Sequence, residues 1–243
     1  MLATAPVALL LTTAPAQAVV PAPARAAAHP AAAAHPAQGA RAIAAAKKKS
    51  KGAGGERKVE ASLTIELGPP ETSLPATQTI TLSVPDGIRD AGAKLPECNP
   101  AKLQAEGEKA CPKGSQIGSG ASTGYTLGVV EPLKLLMYNG PGASLLTYVV
   151  GLDPVSIQIV VEGSVTRPAG GKYGQQLSFT IPHGLLEPLP EDPAWLLTLN
   201  ATLSGKVGWL RSTNCPPHGW SEAAKLGYTN SQSLALAATL ACV

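Results

Sequence analysis

The chain has 243 residues, of which 19 are basic and 16 acidic, giving a formal net charge of +3. Eight of those basic residues and only one acidic residue precede Val59. The remainder is therefore net acidic, and charge gives no argument for specific nucleic-acid recognition by the folded part. No stretch approaches the roughly 20 apolar residues of a membrane-spanning helix, so apart from a leader no transmembrane segment is expected.

Residues 1–18, "MLATAPVALLLTTAPAQA", contain a short apolar run and end in Ala16-Gln17-Ala18. Small residues at those two flanking positions suit signal peptidase, which predicts a signal peptide cleaved after Ala18 and a secreted, extracellular or cell-envelope protein. No Lys or Arg occurs before Arg25, which implies an upstream start or an atypical signal. Residues 19–58 are rich in Ala, Pro and Lys and offer few large apolar side chains to offset ordering entropy. They are expected to form a disordered tether, with a transient helix around Ala40 to Lys51. Its run Lys47, Lys48, Lys49 and Lys51 suits weak, salt-sensitive binding of polyanions such as an anionic cell-wall polymer or glycan, acidic lipids or free DNA. The plain alternative is a solubilising linker.

From Val59 the pattern becomes period two. Val59, Ala61, Leu63, Ile65 and Leu67 alternate with polar residues, and Ile80, Leu82 and Val84 do the same, each predicting a strand with one buried face. Pro85-Asp86-Gly87 then turns the chain. "LKLLMYNGPGASLLTYVVGL" reads as a hairpin about Asn139-Gly140. Further strands are expected in "VSIQIVVEGSVT", "QQLSFTI", "WLLTLNATLSGKV", "WSEAAKLGY" and "SLALAATLAC". Short strands separated by Gly and Pro, without a long amphipathic helix, predict one all-β domain over 59–243. The expected form is an antiparallel β-sandwich, immunoglobulin-like or jelly roll. Phe179 is the only Phe, so Leu, Val, Ile and Ala must fill the core, with three Trp as the largest fillers.

Four cysteines allow three pairings, and proximity favours Cys98–Cys111 and Cys215–Cys242, as befits an exported chain. Asn99 can cap a helix, Pro100 suits its first position and Gly107 can end it. A zinc site would have to combine Cys215 and His218 with Cys98 and Cys111. That leaves one tight pair where zinc usually has two, so neither a metal nor a cofactor is expected.

Gly120-Ala121-Ser122-Thr123-Gly124 matches the nucleophile elbow G-x-S-x-G, with Asp153 or Asp192 and then His218 in the right order for a triad. The strand-like sequence on both sides argues against the strand–turn–helix context this motif needs. His183, beside Pro and Gly, reads as a surface residue. Glu187, Glu191 and Asp192 read as a solvated acidic loop, since their spacing matches neither a glycosidase pair nor a calcium loop. Trp195, Trp209 and Trp220 are candidates for stacking a sugar, although Trp is more often a core or rim residue. Asn200-Ala201-Thr202 is a glycosylation sequon lying in a predicted strand.

"LPECNPAKL", "ACPKGSQIGSG", "STNCPPHGW" and the closing "ATLAC" resemble, in that order, uncharacterised exported proteins of high-GC Gram-positive bacteria. The resemblance spans about residues 59–243 and implies a secreted β-sandwich with two local disulfides, without any activity to carry over. The expected function is non-catalytic: adhesion, surface attachment or ligand binding. A carbohydrate-binding module using Trp and a serine hydrolase using Ser122 are the alternatives.

Overall fold

The computed structural model of the protein describes residues 41–48, 56–67, 75–153, 155–168, 173–213 and 220–240. Within them thirteen strands form one antiparallel sheet: β1 (Arg41–Lys48), β2 (Arg57–Glu66), β3 (Thr77–Pro85), β4 (Ile88–Asp90), β5 (Gln116–Thr126), β6 (Val129–Asn139), β7 (Ser144–Gly151), β8 (Ile157–Thr166), β9 (Tyr173–Thr180), β10 (Trp195–Leu203), β11 (Leu210–Ser212), β12 (Trp220–Tyr228) and β13 (Ser233–Leu240). The ladder order is β13-β12-β3-β9-β8-β7-β6-β5-β10-β2-β11-β4, with β1 on the other edge of β2. Strands β5 to β9 are an up-and-down meander, and the all-β, sandwich-like reading holds. β1 passes near β13 without pairing to it, so the sheet is not closed.

Alternation accounts for the layering. Val59, Leu63, Ile65 and Leu67 are buried, as the period-two pattern of β2 requires. Val59 shares one core with Ile117 of β5, Met137 of β6, Leu145 of β7, Leu177 of β9 and Trp220 of β12. Distant parts of the sheet thus fold over a common interior. β10 and β11 use the same edge of β2: Leu203 pairs with Ala61 and Leu210 with Val59, and residues 204–209 loop out between them.

Two expectations change. The helix expected around Ala40–Lys51 is instead strand β1, paired from Arg41↔Glu66 to Lys48↔Val59. The open edge of β2 offers the Ala-rich segment backbone partners that its own helix preference cannot match. The expected hairpin joins β6 to β7, but its turn is a 3₁₀ segment over Pro141–Ala143, with positive φ at Gly142 rather than Gly140. Asn139 is 1 % exposed. Its Nδ2 donates to the carbonyls of Gly92, Leu95 and Pro96, and its Oδ1 accepts from Trp209 Nε1 at 3.1 Å.

Helix α1 (Pro100–Glu106) forms as expected: the Asn99 side chain accepts from Lys102 N–H and Gly107 ends the helix with φ +74°. Cys98 and Cys111 are disulfide-bonded with Cα atoms 4.8 Å apart. Leu103 and Cys98 cover Leu136, Tyr138, Leu146 and Tyr148, the outward phase of β6 and β7. The stapled loop therefore roofs the outside of the sheet.

Candidate functional site

The inward phases of nine or more strands do not meet completely. They leave a cavity of about 220 Å³ between them, larger than the roughly 150 Å³ engineered cavity that accepts benzene. Its wall is almost wholly apolar, with Leu135, Val149, Val161, Leu177, Phe179 and Leu199 along its length. One end is sealed by Ile88, Met137, Trp209 and Leu210, all buried. The other end is bordered by Leu186, Pro188 and Trp195, which are only half-buried.

Strand registers define that open end. Tyr125 pairs with Trp195, Leu133 with Gly151, and Gly151 with Ile157. The β5–β6 turn, the β7–β8 connection and the segment carrying helix α2 (His183–Leu186) therefore lie together. They bring five exposed apolar side chains, Leu127, Val129, Val130, Leu152 and Leu189, to this end. Leu127 and Gly128 both have positive φ, the turn geometry that favours Asn-Gly. An exposed Leu there is a strained choice at the rim of a cavity, the kind of outlier that points to use. Tyr125 and Trp195 pack at a centroid distance of 6.1 Å beside it.

Two acids line the cavity. Glu131 on β6 is 2 % exposed, and its Oε1 has no hydrogen-bond partner. Burial, and secondarily the nearby Asp153 charge, raise its pKa, against a Val155 N–H that donates to it and lowers it. Glu222 on β12 has an equally buried, unpartnered Oε2, and burial lifts it to about 7.

The residues singled out by motif lie elsewhere or are otherwise engaged. Ser122 sits in the middle of β5 rather than at a strand-to-helix elbow. It is buried, and its Oγ donates to the Thr198 carbonyl at 2.6 Å. Asp192 belongs to a turn bridged to Leu189, and among the described residues no histidine hydrogen-bonds Ser122. Trp209 and Trp220 are 3 % and 4 % exposed, so their rings cannot form a sugar platform; Trp195 alone borders the cavity opening. His183 is exposed, with its Nε2 3.1 Å from a Glu187 carboxylate oxygen, and Glu187 also accepts from Glu191 N–H. Asn200 is exposed on β10. Cys98 and Cys111 are bonded to each other and so are no thiolate pair for zinc; no metal cluster occurs among the described residues. Cys215, Cys242, His218, Lys49 and Lys51 lie outside the described residues, while Lys47 and Lys48 belong to β1.

No motif points to Glu131 or Glu222. A signal does exist in the phase of the strands: Glu131 alternates with Leu133, Leu135 and Met137, and Glu222 with Trp220, Ala224 and Leu226. An acid on the buried phase of a strand is rare unless paired. No family model, curated protein or solved structure matches the chain.

Proposed function

We propose that this is a non-catalytic binding protein of the extracellular or cell-envelope space, whose β-rich body holds an apolar small molecule between its layers. The observation that carries this reading is the cavity itself, a preformed apolar space with a few polar groups and one half-open end. Ligand sites commonly have that composition. Export is supported by the leader, by the Cys98–Cys111 bridge and by the resemblance to exported proteins. Retention on anionic wall polymers through the basic run is a second part of the proposal. It is expected to fall as salt rises from 0.05 to about 0.5 M, and salt-independent retention contradicts it.

Nile red, a neutral dye that fluoresces in apolar surroundings, tests the cavity in the full chain. Wild-type protein is expected to bind it with a blue-shifted, saturable signal. Leu199→Trp and Val161→Phe, which fill the cavity from β10 and β8, are expected to abolish the signal in folded protein; Lys134→Ala, outward on β6, leaves it unchanged. An unaltered signal in both filling variants overturns the reading.

A further inference from the structure

An apolar cavity says little about the polar end of its ligand, but the two acids in its wall say more. Among the described residues no Lys, Arg or His lines the cavity, and Glu131 and Glu222 are the only carboxylic acids in its wall. The fold makes room for the first of them. Position 151 on β7, paired with Leu133, is glycine, and the Glu131 carboxyl reaches into the space that a Cβ there would need. The group is held by one backbone N–H, from Val155, and its Oε1 has no partner in the protein. Thr126 Oγ1, on the adjoining strand β5, is also buried and unpartnered. Both sit toward the half-open end of the cavity, where Asp153 adds further negative charge. The carboxylates Glu187, Glu191 and Asp192 lie near that end, and His183 Nε2 is 3.1 Å from Glu187.

A buried carboxylate without a partner is costly, and a cation placed against it removes most of that cost. A second anion in the same space has the opposite effect. We infer that the cavity selects basic amphiphiles, molecules with an apolar body and a terminal amine. Their ammonium is held by Glu131 Oε1 and Thr126 Oγ1 at the half-open end, and anionic amphiphiles such as fatty acids are excluded. Two of the three donors of an ammonium can be met by these unpartnered acceptors on the adjoining strands β5 and β6. Glu222 lies on β12, near the Ala223↔Ser83 pair toward the sealed end, and so meets the tail.

This inference rests on the proposed apolar cavity, and one displacement experiment separates the two. Dodecylamine, dodecanol and dodecanoate are titrated against Nile red bound to the full chain at pH 7.5, below their aggregation concentrations. The amine is expected to displace the dye at least about tenfold more tightly than the alcohol, the effect of one charge-assisted hydrogen bond, and the acid more weakly than the alcohol. In Glu131→Gln the amine-to-alcohol ratio is expected to fall to about one. Should that variant not fold, the wild-type ranking decides alone. Equal displacement by all three, or tightest displacement by dodecanoate, overturns the amine selectivity and leaves the cavity standing. Preference retained in folded Glu131→Gln, or lost in Glu222→Gln, overturns the assignment to Glu131. Failure of wild type to bind Nile red removes the cavity reading itself.

Discussion

Replacing Asn139 by Leu takes the acceptor from Trp209 Nε1 and the donor from three main-chain carbonyls at once. Unsatisfied buried groups of this kind cost about 1–3 kcal/mol each, with partial relief by rearrangement. Asn139→Leu is expected to lower stability by roughly 2–4 kcal/mol, read as a drop in urea midpoint at unchanged m value; a shift below about 0.5 kcal/mol would mean that these buried hydrogen bonds do not hold the loops together. Glu222 makes stability pH-dependent. Its proton is held in the folded state up to about pH 7, whereas the unfolded chain releases it near the ordinary value of 4.5. This contribution is therefore fully present below pH 4.5 and lost as pH rises through 7. Glu222→Gln is expected to be as stable as wild type at pH 4 and more stable by about 2–3 kcal/mol at pH 8. The same difference at both pH values would contradict burial as the cause. At Leu127, Asn fits the positive φ better, so Leu127→Asn is expected to raise stability by about 1 kcal/mol, measurable as a higher Tm.

Among the elements, the stapled loop is the most local and was the most legible. Asn99, Pro100 and Gly107 lie within one short stretch, and capping acts over three residues, so the helix could be read without knowing what it covers. The double variant Cys98→Ser/Cys111→Ser is expected to lose about 3 kcal/mol, the chain-entropy value for a loop of this size. Hydrogen exchange should then rise in 98–111 and in the outward phase of β6 and β7; unchanged exchange there would mean that the loop is not their roof. Strands with clear alternation, such as β2 and β3, were equally legible. Strands β1 and β11 were not. The Ala-rich β1 has no alternation, and the three residues of β11 are placed by Val59 and Asp90 across the sheet. Asn139-Gly140 carries a true local turn signal, yet the need to satisfy Gly92, Leu95, Pro96 and Trp209 draws Asn139 inward and moves the turn to Pro141–Ala143.

At the scale of the whole molecule, the sheet folds over far enough to bury its apolar phases and stops short of filling the space they enclose. The motifs in the chain single out Ser122 and the three Trp, whereas the site is a volume to which most strands add between one and four ordinary aliphatic residues. Such a site has no local spacing to read; only Glu131 and Glu222, out of character on buried phases, mark it in the chain. Empty apolar space forfeits dispersion contacts along its wall, so an apolar occupant should stabilise the fold in proportion to its concentration. The most direct measurement is anomalous scattering from crystals of the full chain pressurised with xenon, which enters apolar cavities of this size. A strong peak in contact with Leu135, Val149 and Leu199 is expected; side chains filling that space, with no interior xenon, would contradict the apolar cavity.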